Sequence, residues 1–233
     1  MGTQSDLHYQ GSVIRFEPEI LDPMEPRLFD VQWLKSEGHH RGTSPGRGET
    51  HFFSFDGYDL VLRHFRRGGL VGRFNRDFYV RGGLEKSRSI REHELLRWMR
   101  AEGLPVPRPV AASVTPTGPL YRAAIITERI PGARPLEDRL REGAMPQDVW
   151  QRVGLVIRQM HDAGVFHSDL NLRNILIDSA EKVSVIDFDK CERRPPGAWQ
   201  TENLDRLQRS LRKQTGQKQT LYWDKNDWAT LIK

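Results

Sequence analysis

Residues 147–188 constrain this chain more than any other stretch. Trp150, Val153, Ile157 and Met160 recur at helical spacing over 147–163, which predicts an amphipathic helix with one buried face. Gly164 follows, where a left-handed C-terminal cap would sit. After Val165-Phe166 comes a polar loop, His167-Ser-Asp-Leu-Asn-Leu-Arg-Asn174. Two short β-like runs then cover 174–177 and 183–186, joined by a charged turn, and the second ends in Ile186-Asp-Phe188. A helix must therefore deliver a loop rich in His, Asp and Asn onto a small hairpin. Such a hairpin holds Asn174 and Asp187 opposite each other at its base. Taken singly, these side chains would be turn caps and an ordinary strand end. Helix, loop and hairpin in this order make that plain explanation insufficient.

The rest of the chain reads as a β-rich half. Residues 1–30 form short extended pieces broken by Pro18, Pro23 and Pro26, and 31–37 suit a short helix. The glycine-rich stretch 39–49 reads as a loop. Runs at 51–55 and 59–65 flank Asp56-Gly57, a strong hairpin signal. A basic loop covers 66–83, and a helix is expected over 87–100, capped by Ser87 or Ser89, with Ile90, Leu95, Leu96 and Met99 on its apolar face. A buried strand is expected over 120–130, and a basic amphipathic helix over 203–213, with Leu204, Leu207 and Leu211 beside Arg206, Arg209 and Lys213. This is an α+β plan in two lobes: a β-rich N-terminal lobe with one helix, 1–130, and a small, mostly helical C-terminal lobe, 131–233.

The loop and hairpin match the pattern H-R-D-L-x-x-x-N followed by D-F-G, the signature of protein-kinase-like phosphotransferases. His167, Asp169, Leu170 and Asn174 fall in register, as does Asp187-Phe188, with Asp189 in place of the glycine. Phosphoryl transfer is catalysed by positioning and charge neutralisation. Asp169 would orient or accept the proton of the attacking hydroxyl. Asn174 and Asp187 would give oxygens to Mg²⁺, a hard cation, bridging the phosphates of ATP. His167 is expected to brace the loop through its ring nitrogens. Gly46 and Gly48, ahead of His51, could form a reduced glycine-rich loop or a plain surface loop. Arg63 occupies the strand position where such enzymes carry a lysine, exchanging a point charge for a planar fork. Glu92, with Glu94 as the alternative, is its expected partner. Residues 127–130, Glu128 among them, would offer backbone groups to the adenine.

Further pieces resemble one family within that fold. They are Leu62-Arg-His64, Arg67-Gly-Gly-Leu70, Leu104-Pro-Val-Pro-Arg-Pro109, His161-Asp-Ala-Gly-Val165, Ile186-Asp-Phe-Asp-Lys-Cys191 and Asn203-Leu-Asp-Arg-Leu207. Together they resemble the bacterial 3-deoxy-D-manno-octulosonic acid (Kdo) kinases from about residue 40 onward. The resemblance implies ATP-dependent phosphorylation of the Kdo sugar of a lipid A precursor at its 4-hydroxyl. It implies a peripheral enzyme on the cytoplasmic face of the inner membrane. It carries Asp169 over first, then Asn174 and Asp187, then Arg63 and Glu92. Arg66, Arg67, Arg73, Arg76 and Arg81 are suited to bind carboxylates and phosphates of such an acceptor. The basic helix over 203–213 could meet an anionic membrane, or its leucines could pack on the C-terminal lobe.

Composition narrows the rest. The chain has 233 residues, 37% hydrophobic and 29% charged, with a formal net charge of +5. A mild basic excess favours anionic partners. Nucleic acid is not expected, because no recognition helix, zinc pattern or aromatic platform is present, and no stable protein partner is expected. One cysteine, Cys191, allows no disulfide framework. No basic start followed by an apolar run occurs, so no secretory leader is expected. His39-His40 lacks further ligands at metal spacing. The competing functions are a phosphotransferase of the aminoglycoside-kinase type, a protein kinase, and a pseudokinase that binds nucleotide without transfer. The short stretch after Asp187 speaks against a protein kinase. Arg63 alone favours a pseudokinase.

Overall fold

The computed structural model describes residues 2–44, 50–65, 79–80, 83–215 and 221–233. The chain divides into two units. The first comprises Met1–Trp98 and Arg108–Arg129, the second Met99–Pro107 and Ile130–Lys233.

Among the described residues the first unit is an eight-stranded antiparallel sheet with two α-helices. Its strands are β1 (Ser5–Tyr9), β2 (Ser12–Phe16), β3 (His40–Ser44), β4 (Thr50–Phe55), β5 (Tyr58–His64), β6 (Tyr79–Val80), β7 (Pro109–Thr117) and β8 (Leu120–Glu128). They run in the order β1-β2-β7-β8-β5-β4-β3, with β6 also paired to β8. The β4–β5 turn is the one foreseen: Asp56 and Gly57 both take positive φ, 48° and 81°. That geometry matches the twist of the flanking strands. Alternation then buries Phe53, Leu60 and Leu62 on one face.

Two expectations change. Residues 39–49 were expected as a loop, but His40–Ser44 forms the edge strand β3, registered Thr43 to His51 and Ser44 to Thr50. Its sequence, His-Arg-Gly-Thr-Ser, has little strand preference, and the exposed edge of β4 supplies the missing hydrogen bonds. Residues 1–30, expected as disconnected pieces, contain the β1–β2 hairpin, whose turn Gln10-Gly11 also has positive φ at both positions. β2 pairs with β7. Ile20, Leu21, Met24, Leu28 and Leu34 then join Ile14, Leu60, Leu62, Val110 and Ile126 in one core. Helix α1 (Val31–Ser36) carries Leu34 and is capped by Asp30, whose carboxylate accepts from the Gln32 and Trp33 amides.

Helix α2 (Arg88–Ala101) buries Ile90, Leu96 and Met99, while Leu95 is only half-buried. Glu92 and His93 share the buried face. The His93 ring is fully enclosed, and burial, reinforced by Arg97 and Arg15, lowers its pKa from 6.5 to about 3. Glu17 Oε1 stands 3.6 Å from His93 Nε2. With a neutral imidazole this is no ion pair, and the carboxylate is held instead by Arg97 Nε at 2.6 Å. Below pH 6.5 the unfolded chain binds a proton at this site that the folded chain refuses, so stability falls with pH until about pH 3. Between pH 7.5 and 5.5 His93 therefore removes about 1.4 kcal/mol. Urea titrations at both values should show a loss smaller by that amount in His93→Gln. An unchanged pH dependence would mean that the ring is protonated in the fold.

The second unit contains β9 (Arg134–Pro135), α3 (Leu136–Glu142), α4 (Gln147–Asp162), β10 (Val165–Phe166), β11 (Ile175–Ile177), β12 (Val183–Val185), β13 (Glu192–Arg193), α5 (Trp199–Thr215) and α6 (Lys225–Leu231). On α4 the expected residues Trp150, Val153, Ile157 and Met160 are all buried. Gly164 closes the helix with φ 75°, its amide donating to His161 C=O at 2.9 Å. A Cβ there would lie 2.8 Å from the Arg194 carbonyl, so both backbone shape and space require glycine. Strands β11 and β12 form the expected hairpin, and β9 flanks β11.

Candidate active site

The polar loop between β10 and β11 is held from several directions. The His167 ring is wholly buried. Its Nδ1 accepts the Asp169 amide at 3.1 Å, and its Nε2 donates to Ile186 C=O at 3.0 Å. Burial lowers its pKa. A neutral ring with both nitrogens committed braces the loop and has no lone pair left for a substrate proton. Phe188 packs edge-on against it, with ring centroids 4.9 Å apart. The Asp169 carbonyl accepts from the amides of Asn171 and Asn174, both at 2.9 Å. These bonds fix the backbone of Asp169 and leave its side chain 60% exposed. The catalytic candidate is thus presented to solvent by a rigid loop.

Asn174 and Asp187 are joined through the hairpin, because Ile186 N–H donates to Asn174 C=O at 2.9 Å. Asp187 takes φ 65°, a left-handed conformation that Asp tolerates better than most residues. With Nδ2 of Asn174 spent on Asp169, the polar atom that remains on that amide is an oxygen. An amide oxygen beside a carboxylate is a hard, oxygen-only donor set. It fits a divalent cation that completes its shell with phosphate and water, and does not fit the nitrogen and sulfur set of zinc. Among the described residues no cluster of three or more His, Cys, Asp or Glu side chains could hold a metal. Any cation here would therefore take much of its shell from elsewhere.

In the first unit, Arg63 on β5 meets Glu92 on α2, with Nη2 at 2.6 and 2.5 Å from the two carboxylate oxygens. Glu92 is 4% exposed. The Arg63 guanidinium also stacks over Phe65, 4.7 Å from the ring centroid. Glu94, the alternative partner, bonds Gln4 at 2.6 Å and Arg15 at 3.2 Å instead. Glu128 ends β8, and its amide donates to Arg108 C=O at 2.9 Å. The following amide, of Arg129, donates to Asp59 C=O at 2.8 Å. Neither N–H is therefore left for a ligand, and a backbone contact at Glu128 would have to use its carbonyl. Gly46 and Gly48, and Arg66, Arg67, Arg73, Arg76 and Arg81, lie outside the described residues.

Three supports escape a reading of motifs. Asn203 on α5, 1% exposed, accepts the His167 amide at 3.1 Å and donates to the His167 carbonyl at 3.0 Å. It stands four residues before Leu207 and eight before Leu211, both fully buried, while Leu204 is only half-buried. A polar residue on the apolar stripe was the available signal. Buried Glu137 on α3 binds Arg141, and also Arg173 of the loop through Nε at 2.5 Å. Its amide donates to Leu172 C=O at 3.2 Å. The Cys191 sulfur accepts the Ser168 amide at 3.2 Å.

Comparison with known proteins gives the same direction. The chain is 42% identical over 222 residues to a 3-deoxy-D-manno-octulosonic acid kinase of Vibrio parahaemolyticus serotype O3:K6, covering 95% of this chain and 92% of that one. It is 40% identical over 226 residues to the protein of the same name from Photobacterium profundum, covering 97% and 95%. For that of Haemophilus influenzae strain 86-028NP the identity is 38% over 212 residues, with 88% of each chain covered. Residues 31–233 match the model of the lipopolysaccharide kinase (Kdo/WaaP) family. A braced loop that presents Asp169, a hairpin that joins Asn174 to Asp187, and a match over this length lead to one conclusion: the chain is a kinase and belongs to the lipopolysaccharide kinase (Kdo/WaaP) family.

Proposed function

We propose that this protein transfers the γ-phosphoryl group of ATP to the Kdo sugar of a lipid A precursor, at its 4-hydroxyl, in lipopolysaccharide core biosynthesis. The observation that carries this is the identity of 42% over nearly the full length to a kinase named for that sugar. The geometry supports it. Asp169, held by its backbone and exposed at its carboxylate, orients the acceptor hydroxyl and takes its proton. Asn174 and Asp187 hold Mg²⁺ through oxygen ligands. When bound, the metal draws negative charge from the transferring phosphates. Arg63, steered by Glu92, engages the nucleotide phosphates; because that pair is formed, arginine in place of lysine does not by itself argue for a pseudokinase. Gly46 and Gly48 would cover the phosphates, and the Glu128 carbonyl would meet the adenine.

The enzyme works as a peripheral protein on the cytoplasmic face of the inner membrane. Its lipid acceptor resides in such a membrane, and its net charge of +5 favours an anionic surface. Among the described residues no helix is long and apolar enough to cross a membrane. Neither nucleic acid nor a stable protein partner is part of this reading.

The test is transfer from γ-labelled ATP with Mg²⁺ to a Kdo-bearing lipid A precursor, run beside a panel of aminoglycosides. Label on the lipid alone is the expected result. Label on an aminoglycoside, or tight nucleotide binding with no transfer, would overturn the acceptor or the activity respectively.

A further inference from the structure

Helix α5 brings to the catalytic loop a cation, Arg206, that lies outside the kinase signature of the loop and hairpin. Asn203 clamps the backbone of His167, and Leu207 and Leu211 are fully buried, so the helix is fixed against the loop at its start. Arg206 lies three residues after Asn203 and so stands on the neighbouring flank, one turn along. Its Nη1 is 3.4 Å from Asp169 Oδ1, with the two side chains 47% and 60% exposed. This contact is long, single and wet, the kind of ion pair that contributes little to folding. Elsewhere in this unit arginines make closer pairs, as Arg173 does with Glu137 at 2.5 Å. Among the described residues Arg206 has no second ion pair, so most of its planar fork of donors is open to another carboxylate.

We infer that Arg206 binds the carboxylate of the acceptor sugar and thereby restricts the enzyme to acidic sugars, an inference that rests on the acceptor proposed above. The proposed acceptor is a 2-ulosonic acid. In its ring form the carboxyl group sits on the carbon two positions from the one that bears the 4-hydroxyl. A hydroxyl held at Asp169 therefore places the sugar's carboxylate within a few bond lengths of that residue. Among the described residues Arg206 is the cation paired with Asp169. Guanidinium and carboxylate are planar and match in a two-bond fork, which fixes orientation as well as charge. A sugar without the acid would leave that fork unmatched and would be held less firmly. Arg209 and Lys213, exposed three and seven residues further on, continue the positive flank away from the loop.

The test compares two acceptors, the Kdo-bearing lipid A precursor and the same molecule with its Kdo carboxyl converted to the methyl ester. Each is assayed with the wild-type chain, Arg206→Ala and Arg206→Lys, measuring kcat and KM separately. The wild type should lose about 10- to 100-fold in kcat/KM on the ester. Arg206→Ala should lose a similar factor on the acid, chiefly in KM for the acceptor, and treat acid and ester nearly alike. The KM for ATP should stay unchanged, and Arg206→Lys should recover part of the loss on the acid. If Arg206→Ala is impaired equally on acid and ester, the residue acts through Asp169 and the inference is overturned, while the proposed function stands. If the wild type phosphorylates neither acceptor, the proposed function falls and takes the inference with it. Arg206 is exposed and makes no buried bond, so all variants should melt with the wild type.

Discussion

Asp169→Ala is expected to reduce turnover by about 10²- to 10⁴-fold, the usual contribution of a positioned acid or base. The substitution is unusually clean. Among the described residues, the hydrogen bonds that shape the loop here use the backbone of Asp169: the amide to His167 Nδ1 and the carbonyl to Asn171 and Asn174. All of these persist in alanine. Among the described residues the side chain pairs with Arg206 alone, at 3.4 Å, and both groups are exposed. The melting temperature should therefore stay within a few degrees of the wild type, and nucleotide affinity by calorimetry should be retained. Asp169→Asn separates two roles, since the amide keeps the shape and cannot take a proton. Turnover within a few-fold of wild type in both variants would remove Asp169 from the reaction and leave the hydroxyl without an activating group.

Gly154→Ala should destabilise the second unit, although glycine is a poor residue for the middle of a helix. On α4 alone the change would gain about 1 kcal/mol. Tertiary contact reverses the sign. A Cβ at Gly154 would stand 2.0 Å from the Leu231 carbonyl oxygen of α6, a backbone atom that can move only with its helix. The same oxygen accepts Arg158 Nη1 at 3.1 Å, and the Leu231 side chain is 1% exposed. The dock continues through Gln147, which donates to Asp227 at 2.5 Å and accepts from Thr230 at 2.5 Å. Displacing α6 forfeits part of this set. Overpacking of this kind costs about 1–3 kcal/mol, and incomplete burial of a leucine costs about 1–2 more. The net loss of about 1–4 kcal/mol should lower the melting temperature by roughly 3–15 °C for a chain of this size. A variant that melts at or above the wild type would show that α6 shifts without cost.

The same contrast runs through the whole protein. The β4–β5 hairpin was legible because Asp56-Gly57 is chemistry of adjacent residues. The buried face of α4 was legible because its spacing follows the helical period, and all four of its expected residues are buried. The placement of Asp169, Asn174 and Asp187 on one loop and one short hairpin was legible because their spacing is local. Glu92 was separated from Glu94 as partner of Arg63 only at the level of preference, since the pair joins residues on different elements. The strand β3 was read as a loop, because its strand character belongs to the edge of β4 rather than to its own sequence. The docking of residues 14–34 into the core was invisible, because Pro18, Pro23 and Pro26 mark breaks in the chain and carry no information about what it packs against.

By itself, then, the sequence determined what short-range physics controls: the helix period, the tight turns, and the loop that gathers a carboxylate, an amide and a second carboxylate. Only the tertiary structure decided which distant residues hold that loop and stand beside its carboxylate. Asn203 reaches back 36 positions to His167, Glu137 reaches forward 36 to Arg173, and Arg206 stands 37 from Asp169. Hydrogen bonds and ion pairs fall off within a few ångströms, and separation along the chain says nothing about separation in space until the helices have packed.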